Sequence, residues 1–141
     1  MQGSPHKKKA LVLDTAAFLA ALQLLMYGIE LYTPRSVVEE VKDFESVQRF
    51  QLSESIGRVK IEDPKHSFVS KAVEVARRHG VLERLSKTDL DVLALALQLS
   101  YQGYDVVVLT DDYVLQKILI ELGLGFRPVK TRGVEKKRSE E

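Results

Sequence analysis

The sequence contains no cysteine and no tryptophan, and only three of its 141 residues are histidine. Without cysteine the chain can form no disulfide, no zinc ribbon and no thiol nucleophile. The histidines, His6, His66 and His79, are too far apart in sequence for the usual spacing of a histidine metal site. Every apolar run is well short of the roughly 20 residues that span a bilayer. A lysine-rich start followed by apolar residues imitates a signal peptide, but Asp14 and Thr15 interrupt it. We therefore expect a cytoplasmic protein that does not enter a membrane.

The charges are almost balanced, so the overall composition does not indicate a partner. Lys+Arg number 21 and Asp+Glu 20, a formal net charge of +1. Hydrophobic residues make up 45% of the chain and charged residues 29%, which is typical of a globular domain. The length predicts a single domain. We place that domain at residues 9–129, between a flexible tail at 1–8 and a charged tail at 130–141.

Predicted strands and helices alternate along the chain. The apolar runs Ala10–Leu13 and Val106–Leu109 are typical of strands buried on both faces of a parallel sheet. Such alternation predicts an α/β fold with a mainly parallel central sheet covered on both sides. Further strands are predicted at Glu30–Tyr32, Gly57–Ile61 and Phe126–Val129, and helices at Ala16–Met26, Arg35–Phe50, Ser67–His79, between Ser86 and Gly103, and at Tyr113–Leu122.

Acidic residues follow both of the long apolar strands. Asp14 comes directly after the first, and Asp111 and Asp112 come shortly after the second. In open parallel sheets, functional groups gather outside the carboxyl ends of the strands. Glu40 and Asp89 lie in the early turns of two predicted helices. Each acid also has an ordinary interpretation as a helix cap or a solvated surface charge. Two strands end in acid in a fold that directs strand ends toward one cleft, so independent capping of two helices is the less economical explanation.

Convergence of Asp14, Asp89 and Asp112 would have a chemical consequence. Two like charges about 4 Å apart repel by about 4 kcal/mol at an effective dielectric constant near 20. Such a cluster must take up protons or bind a cation. Carboxylate oxygens without histidine or cysteine favour Mg²⁺ or Mn²⁺. A Mg²⁺ ion held this way keeps several waters and usually contacts a phosphate, so the implied chemistry is metal-assisted phosphodiester hydrolysis.

At these acids the sequence resembles the PIN-domain ribonucleases. The resemblance spans roughly Lys9 to Val129, and its four motifs occur in the family's order. These motifs are Leu11–Thr15 (LVLDT), Val37–Val41 (VVEEV), Thr88–Ala96 (TDLDVLALA) and Val108–Tyr113 (VLTDDY). The resemblance implies a three-layer α/β/α fold and a metal-dependent endoribonuclease.

The resemblance also implies which residues form the site. The catalytic, metal-binding acids would be Asp14, Glu40, Asp89 and Asp112. Asp111 would be a fifth metal-binding acid, and Thr15 and Thr110 would supply hydroxyls that orient carboxylates.

Two neighbouring acids were weighed against these assignments. Glu40 is preferred to Glu39 because the family's glutamate precedes an apolar residue, as Glu40 precedes Val41. Asp89 is preferred to Asp91 because it follows Thr88, which is expected to cap the helix. Residues two apart on a helix point to different faces, so Asp89 and Asp91 are not expected to share one site.

A closer resemblance is to the PIN domain of the archaeal Nob (NIN-one-binding) proteins. The stretches Leu85–Leu90, Val92–Leu97, Leu109–Tyr113 and Leu122–Val129 carry it. This resemblance implies endonucleolytic trimming of the 3′ end of small-subunit ribosomal RNA. The sequence departs from those proteins in lacking the cysteines of their zinc ribbon. It also has Ala16 where a small polar residue often follows the Asp-Thr pair, which removes one possible contact to a carboxylate.

The expected partner is RNA, in particular the precursor of small-subunit rRNA, and the family also makes a homodimer possible. An acidic site repels a polyanion, so basic residues must flank it. Lys87, beside Asp89, is the best-placed candidate for this contact. The other candidates are Lys7–Lys9, Arg77, Arg78, Arg84 and the tail residues Lys130, Arg132, Lys136, Lys137 and Arg138. Tyr113, next to Asp112, is a candidate for stacking on a base. No RRM or KH signature is present.

Two other functions remain open on sequence grounds. A toxin-type PIN ribonuclease of the VapC kind would use the same acids, with a small antitoxin as partner. A non-catalytic binding module, either a PIN fold or a flavodoxin-like receiver, is the second. A binding-only PIN fold should have lost an acid, yet every expected acid is present. A receiver would need a lysine after a late strand, and no lysine is suitably placed.

Overall fold

The computed structural model describes residues 7–21, 29–42 and 58–129. Five strands alternate with helices, in the order expected from the sequence. The elements are β1 (Lys9–Leu13), α1 (Thr15–Ala21), β2 (Glu30–Thr33), α2 (Arg35–Lys42), β3 (Lys60–Ile61), α3 (His66–Arg78), a short 3₁₀ segment (Leu82–Arg84), α4 (Lys87–Tyr101), β4 (Asp105–Leu109), α5 (Tyr113–Glu121) and β5 (Gly125–Arg127).

The five strands form one sheet in the order β3-β2-β1-β4-β5, and every pairing is parallel. The central strand β1 pairs with β4 along its whole length, from Lys9 opposite Asp105 to Leu13 opposite Leu109. The predicted α/β fold is therefore confirmed. The register makes β1 and β4 end side by side, so the residues that follow them meet at one edge of the sheet.

Both faces of the central strand are covered. Consecutive side chains of a strand point to opposite faces, and all four from Ala10 to Leu13 are at most 5% exposed. Helix α4 packs on β1 and β4, and its residues Val92–Ala96 are all fully buried. This burial explains why α4 is apolar around most of its circumference. The packing places α4 directly against the two strands whose ends meet at this edge.

Several predicted boundaries differ from the observed ones. Strand β3 is only Lys60–Ile61 rather than Gly57–Ile61, and β5 is Gly125–Arg127 rather than Phe126–Val129. The parts of the first two predicted helices beyond residues 21 and 42 lie outside the described residues, as do residues 1–6 and 130–141 of the predicted tails. Lys8, assigned to the tail, is joined to the sheet because its carbonyl accepts a hydrogen bond from the Asp105 amide at 2.8 Å. No helix within the described ranges is both long and apolar enough to cross a bilayer.

Candidate active site

Asp14 stands at the junction of β1 and α1 and is only 8% exposed. Its Oδ1 accepts a hydrogen bond from the Ala17 amide at 2.8 Å, so the side chain caps α1. Burial raises the pKa of Asp14. Hydrogen bonds from Thr110 and Ala17 oppose the rise, and the nearby charges of Asp111 and Asp89 add to it. The net result is a carboxyl group whose charge is disfavoured at the edge of the sheet.

Thr110 connects Asp14 to the acid that follows β4. The hydroxyl is fully buried, donates toward the Asp14 carboxylate, and accepts the Asp112 amide at 3.0 Å. Asp112 in turn caps α5, with its Oδ1 accepting the Leu115 amide at 2.9 Å. Thr110 thus lies between two of the predicted site acids, and its role in orienting them stays a prediction.

Asp89 enters the same edge from the start of α4. Its Oδ2 accepts the Ser86 amide at 2.9 Å, while the Ser86 hydroxyl accepts the Asp89 amide at 3.0 Å. This reciprocal capping box fixes the first turn of the helix. Burial raises the pKa of Asp89, and the charges of Asp112 and Glu40 raise it further against the effect of the Ser86 hydrogen bonds. Asp89 therefore faces two other predicted site acids.

Glu40 is the glutamate that faces the site. Its Oε1 accepts the Thr15 hydroxyl and its Oε2 accepts the Thr88 hydroxyl, both at 2.7 Å. Glu39 instead lies beside Lys42, at 3.6 Å, although both glutamates are exposed to solvent. The structure thus places Glu40, and not Glu39, beside the hydroxyls of Thr15 and Thr88, and the functional role of Glu40 stays a prediction.

Mutual repulsion links the acids, but they do not yet form a coordination shell. Asp14 interacts with Asp89, which also interacts with Asp112 and Glu40. Within the described residues, none of these four acids forms an ion pair with lysine or arginine. In that same part of the chain, no three acidic or histidine side chains are already placed to hold one ion. Their all-carboxylate chemistry suits Mg²⁺ or Mn²⁺, and a bound cation would have to draw the side chains closer.

Asp111, the fifth predicted acid, also has a structural task. Its Oδ1 accepts the Val129 amide at 2.7 Å and so fastens the chain that follows β5. Its charge contributes to the raised pKa of Asp14. Asp111 therefore lies beside the site, with one carboxylate oxygen engaged by the backbone.

Lys87 and Asp91 occupy a different face of α4. The Lys87 ammonium is 2.9 Å from Asp91 Oδ2, which also accepts the Ser36 hydroxyl at 2.8 Å. Asp91 is buried in this contact, away from Asp89, as expected for residues two apart on a helix. Contact of Lys87 with RNA stays a prediction, and it would compete with the Asp91 ion pair.

Sequence reasoning missed two side chains that hold the acids in place. Thr88 was predicted to cap the helix, but Ser86 is the cap, and the buried Thr88 hydroxyl donates to Glu40 instead. Ser86 forms the capping box with Asp89. The Ser86-x-x-Asp89 spacing was a usable indication of the capping box. Nothing local in the sequence indicates the Thr88 contact, because it joins residues 48 positions apart.

Comparison with known proteins agrees with this geometry. Residues 11–99 match the family described as the PIN domain of ribonuclease. "Ribonuclease VapC3" of Aeropyrum pernix is 47% identical over 130 residues, covering 92% of this chain and 93% of that protein. "Endoribonuclease Nob1" of Methanothermobacter thermautotrophicus is 40% identical over 123 residues, covering 87% and 70%. "20S-pre-rRNA D-site endonuclease nob1" of Schizosaccharomyces pombe is 36% identical over 100 residues, covering 67% and 25%.

The matched residues include Asp14, Glu40 and Asp89, and two of these relatives bear the Nob name that the sequence motifs pointed to. The predicted family is therefore confirmed: the chain is a member of the PIN-domain ribonuclease family.

Proposed function

We propose that the protein is a Mg²⁺- or Mn²⁺-dependent endoribonuclease that trims the 3′ end of small-subunit rRNA. The main support for this proposal is the group of acids at one edge of the sheet. There Asp14 and Asp89 have raised pKa values and no cationic partner among the described residues. Such a site gains most from a divalent ion, because the ion removes the repulsion that the fold has built in. The relatives named as endoribonucleases, one of them acting on pre-rRNA, support the substrate class.

In this proposal Asp14, Glu40, Asp89 and Asp112 hold the metal, with Asp111 as an additional acid. A bound ion would lower the pKa of the attacking water and neutralise charge that develops on the phosphate. The chain's own hydroxyls fix the carboxylates: Thr110 holds Asp14, and Thr15 and Thr88 hold Glu40. The amino-terminal ends of α4 and α5 lie at Asp89 and Asp112, and their partial positive charge offsets part of the acidic field.

Cleavage of a labelled RNA that spans the 3′ end of small-subunit rRNA and its downstream precursor tests the proposal. With Mn²⁺ we expect one internal cut at the mature end, and with a chelator no cut. Asp112→Asn should abolish cleavage, whereas Asp105→Asn, at the opposite end of β4 and half exposed, should cleave as the wild type does. Cleavage that persists in the chelator, or in Asp112→Asn, would reject the assigned chemistry.

A VapC-type toxin ribonuclease is the second candidate, favoured by the relative named VapC3, which matches this chain over nearly the full length of both. It would use the same acids on a tRNA or rRNA target and would bind a small antitoxin. Growth arrest on expression, relieved by Asp14→Asn, together with cuts inside tRNA or mature rRNA, would favour it. No growth arrest, with a cut confined to the 3′ end of the precursor, favours the maturation enzyme.

The non-catalytic module is the candidate that the site supports least, because all five predicted acids are grouped at one edge. Calorimetric titration with Mn²⁺ separates it, since a binding-only module should take up no metal. The proposal further places the protein in the cytoplasm and allows a homodimer. Sedimentation equilibrium, which yields the mass of the particle in solution, tests the dimer.

A further inference from the structure

A second feature lies beside the acids: a cavity of about 180 Å³ between the end of α3, the 3₁₀ segment and the start of α5. Tyr113, Val114 and Lys117 form the α5 side, and Arg84 forms the side of the 3₁₀ segment. Ile118, which is buried, contributes an apolar floor. His79 and Glu121, whose side chains lie 3.5 Å apart, also line it. The cavity thus combines an apolar base, one aromatic ring, two cations and one histidine–glutamate pair.

Both walls of this cavity lead directly to the acids. Tyr113 immediately follows Asp112, the cap of α5. Arg84 comes two residues before Ser86, the cap of α4 that is hydrogen-bonded to Asp89. Asp89 and Asp112 face each other closely enough for their charges to interact. The cavity is therefore lined by residues that lie one position from Asp112 and two positions from the cap of Asp89.

The cations of the cavity are available to bind an anion. Within the described residues, neither Arg84 nor Lys117 forms an ion pair with a carboxylate, whereas Lys87 is paired with Asp91. A polyanion that approaches an acidic site needs unpaired cations nearby, because their contacts with phosphate supply most of the sequence-independent affinity. Arg84 and Lys117 meet this need better than Lys87, whose ammonium group is already engaged.

Tyr113 presents its ring to solvent, since the residue is 69% exposed at the first turn of α5. The Lys117 ammonium lies 5.3 Å from the centre of the ring. An exposed aromatic ring next to cations is the arrangement with which proteins stack the bases of single strands while holding the backbone.

We propose that this cavity is a base-binding subsite, in which one base of single-stranded RNA next to the cleaved phosphate stacks on Tyr113 while Arg84 and Lys117 contact flanking phosphates. The proposal rests on the ribonuclease function above, whose substrate positioning it specifies. It makes Tyr113 a positioning residue that sets the affinity for RNA without taking part in bond breaking.

Cleavage kinetics on a single-stranded oligoribonucleotide with Mn²⁺ test the subsite. Tyr113→Ala should raise KM roughly 5- to 100-fold, as loss of one base–aromatic stack does, and leave kcat within about twofold. Tyr113→Phe should behave as the wild type, because stacking needs the ring and not the hydroxyl. Tyr101→Ala is the matched control, an 83% exposed tyrosine at the far end of α4. A Tyr113→Ala enzyme with the KM of Tyr101→Ala would overturn the proposal.

Binding measured in an Asp14→Asn background separates the subsite from the activity, since it requires no cleavage. By fluorescence anisotropy, an abasic site at the stacked position should weaken binding to the Tyr113 protein and leave binding to Tyr113→Ala unchanged. Arg84→Ala and Lys117→Met should each reduce the slope of log affinity against log salt by about 0.7, whereas Lys71→Met on α3 should not. If abasic sites weaken binding equally with and without the tyrosine ring, no base stacks there. If the wild type shows base-dependent binding through Tyr113 but never cleaves RNA, the proposed ribonuclease function is rejected and the base-binding subsite is retained.

Discussion

Glu30, at the amino end of β2, and Asp14, at the carboxyl end of β1, are carboxylates of one sheet with opposite surroundings. The Glu30 carboxylate accepts the Tyr32 hydroxyl at 2.6 Å and lies 3.2 Å from the Lys60 ammonium and 3.4 Å from that of Lys8. The hydrogen bonds from Tyr32 and Lys60 lower the pKa of Glu30 to about 2. At the other edge, burial and neighbouring acids raise the pKa of Asp14.

The opposite pKa shifts of Glu30 and Asp14 distinguish a carboxylate that stabilises the fold from one that serves a functional site. At the amino edge every partner of Glu30 favours its charged form, which is how a carboxylate contributes to folding. At the carboxyl edge the fold places Asp14 and Asp89 where their charged forms are disfavoured. A fold retains such an arrangement when the charges serve a ligand, and perturbed pKa values therefore cluster at functional sites. The comparison predicts that changes at the two edges affect different properties.

The largest expected effect is on activity. Asp14→Asn removes the negative charge of a proposed metal-binding carboxylate, so we expect cleavage of the RNA substrate to fall at least about 100-fold. The asparagine keeps an oxygen that can cap α1, so the fold should stay intact. Glu30→Gln should cleave within about twofold of the wild type. Initial rates at saturating Mn²⁺, with circular dichroism to verify folding, measure both. Equal losses in the two variants would remove the functional distinction between the edges.

A smaller effect is expected from the hydroxyls that hold the acids. Thr88→Val removes the 2.7 Å hydrogen bond to Glu40 and replaces the side chain by one of nearly equal shape. Loss of such a supporting contact typically costs about 10- to 100-fold in metal affinity or activity. Thr33→Val is the control, since this buried hydroxyl donates to the Leu13 carbonyl and forms no hydrogen bond with an acid in the part of the chain that the structure describes. The Mn²⁺ concentration at half-maximal activity should rise only for Thr88→Val, and an unchanged value would mean that Thr88 does not position Glu40.

These two edges also show what a sequence can and cannot predict. Asp14 and Asp112 were predictable because apolar runs mark buried strands, and parallel strands of neighbouring position end at one edge. The choice of Glu40 depended on family resemblance, since Glu39 is its chemical equal and only the fold separates them. The sequence did not predict the ion pair of Lys87 with Asp91. It also did not predict the contacts of Glu30 with Tyr32 and Lys60. Side chains on the surface of one helix have several partners within reach, and Glu30 meets Lys60 from 30 residues away.

The smallest effect concerns the pH dependence of stability, where the two edges should differ in sign. Glu30 has a folded-state pKa near 2, below its ordinary value of 4.5. The unfolded chain therefore binds a proton more readily, and the stabilisation by Glu30 is complete above pH 4.5 and is lost as the pH falls toward 2. Asp89 has a folded-state pKa above its ordinary value of 3.8, so its contribution is favourable below pH 3.8 and is lost as the pH rises through the folded-state pKa.

Melting temperatures between pH 2 and pH 8, recorded with a chelator present, measure this difference. Glu30→Gln should lower Tm at neutral pH, and the deficit should shrink as the pH falls from 4.5 toward 2. Asp89→Asn keeps an oxygen for the Ser86 amide while removing the disfavoured charge, so it should raise Tm at neutral pH and converge with the wild type in acid. If both variants lowered Tm over the same pH range, Asp89 would be a stabilising charge like Glu30, and the carboxyl edge would hold no unsatisfied charge for a metal to neutralise.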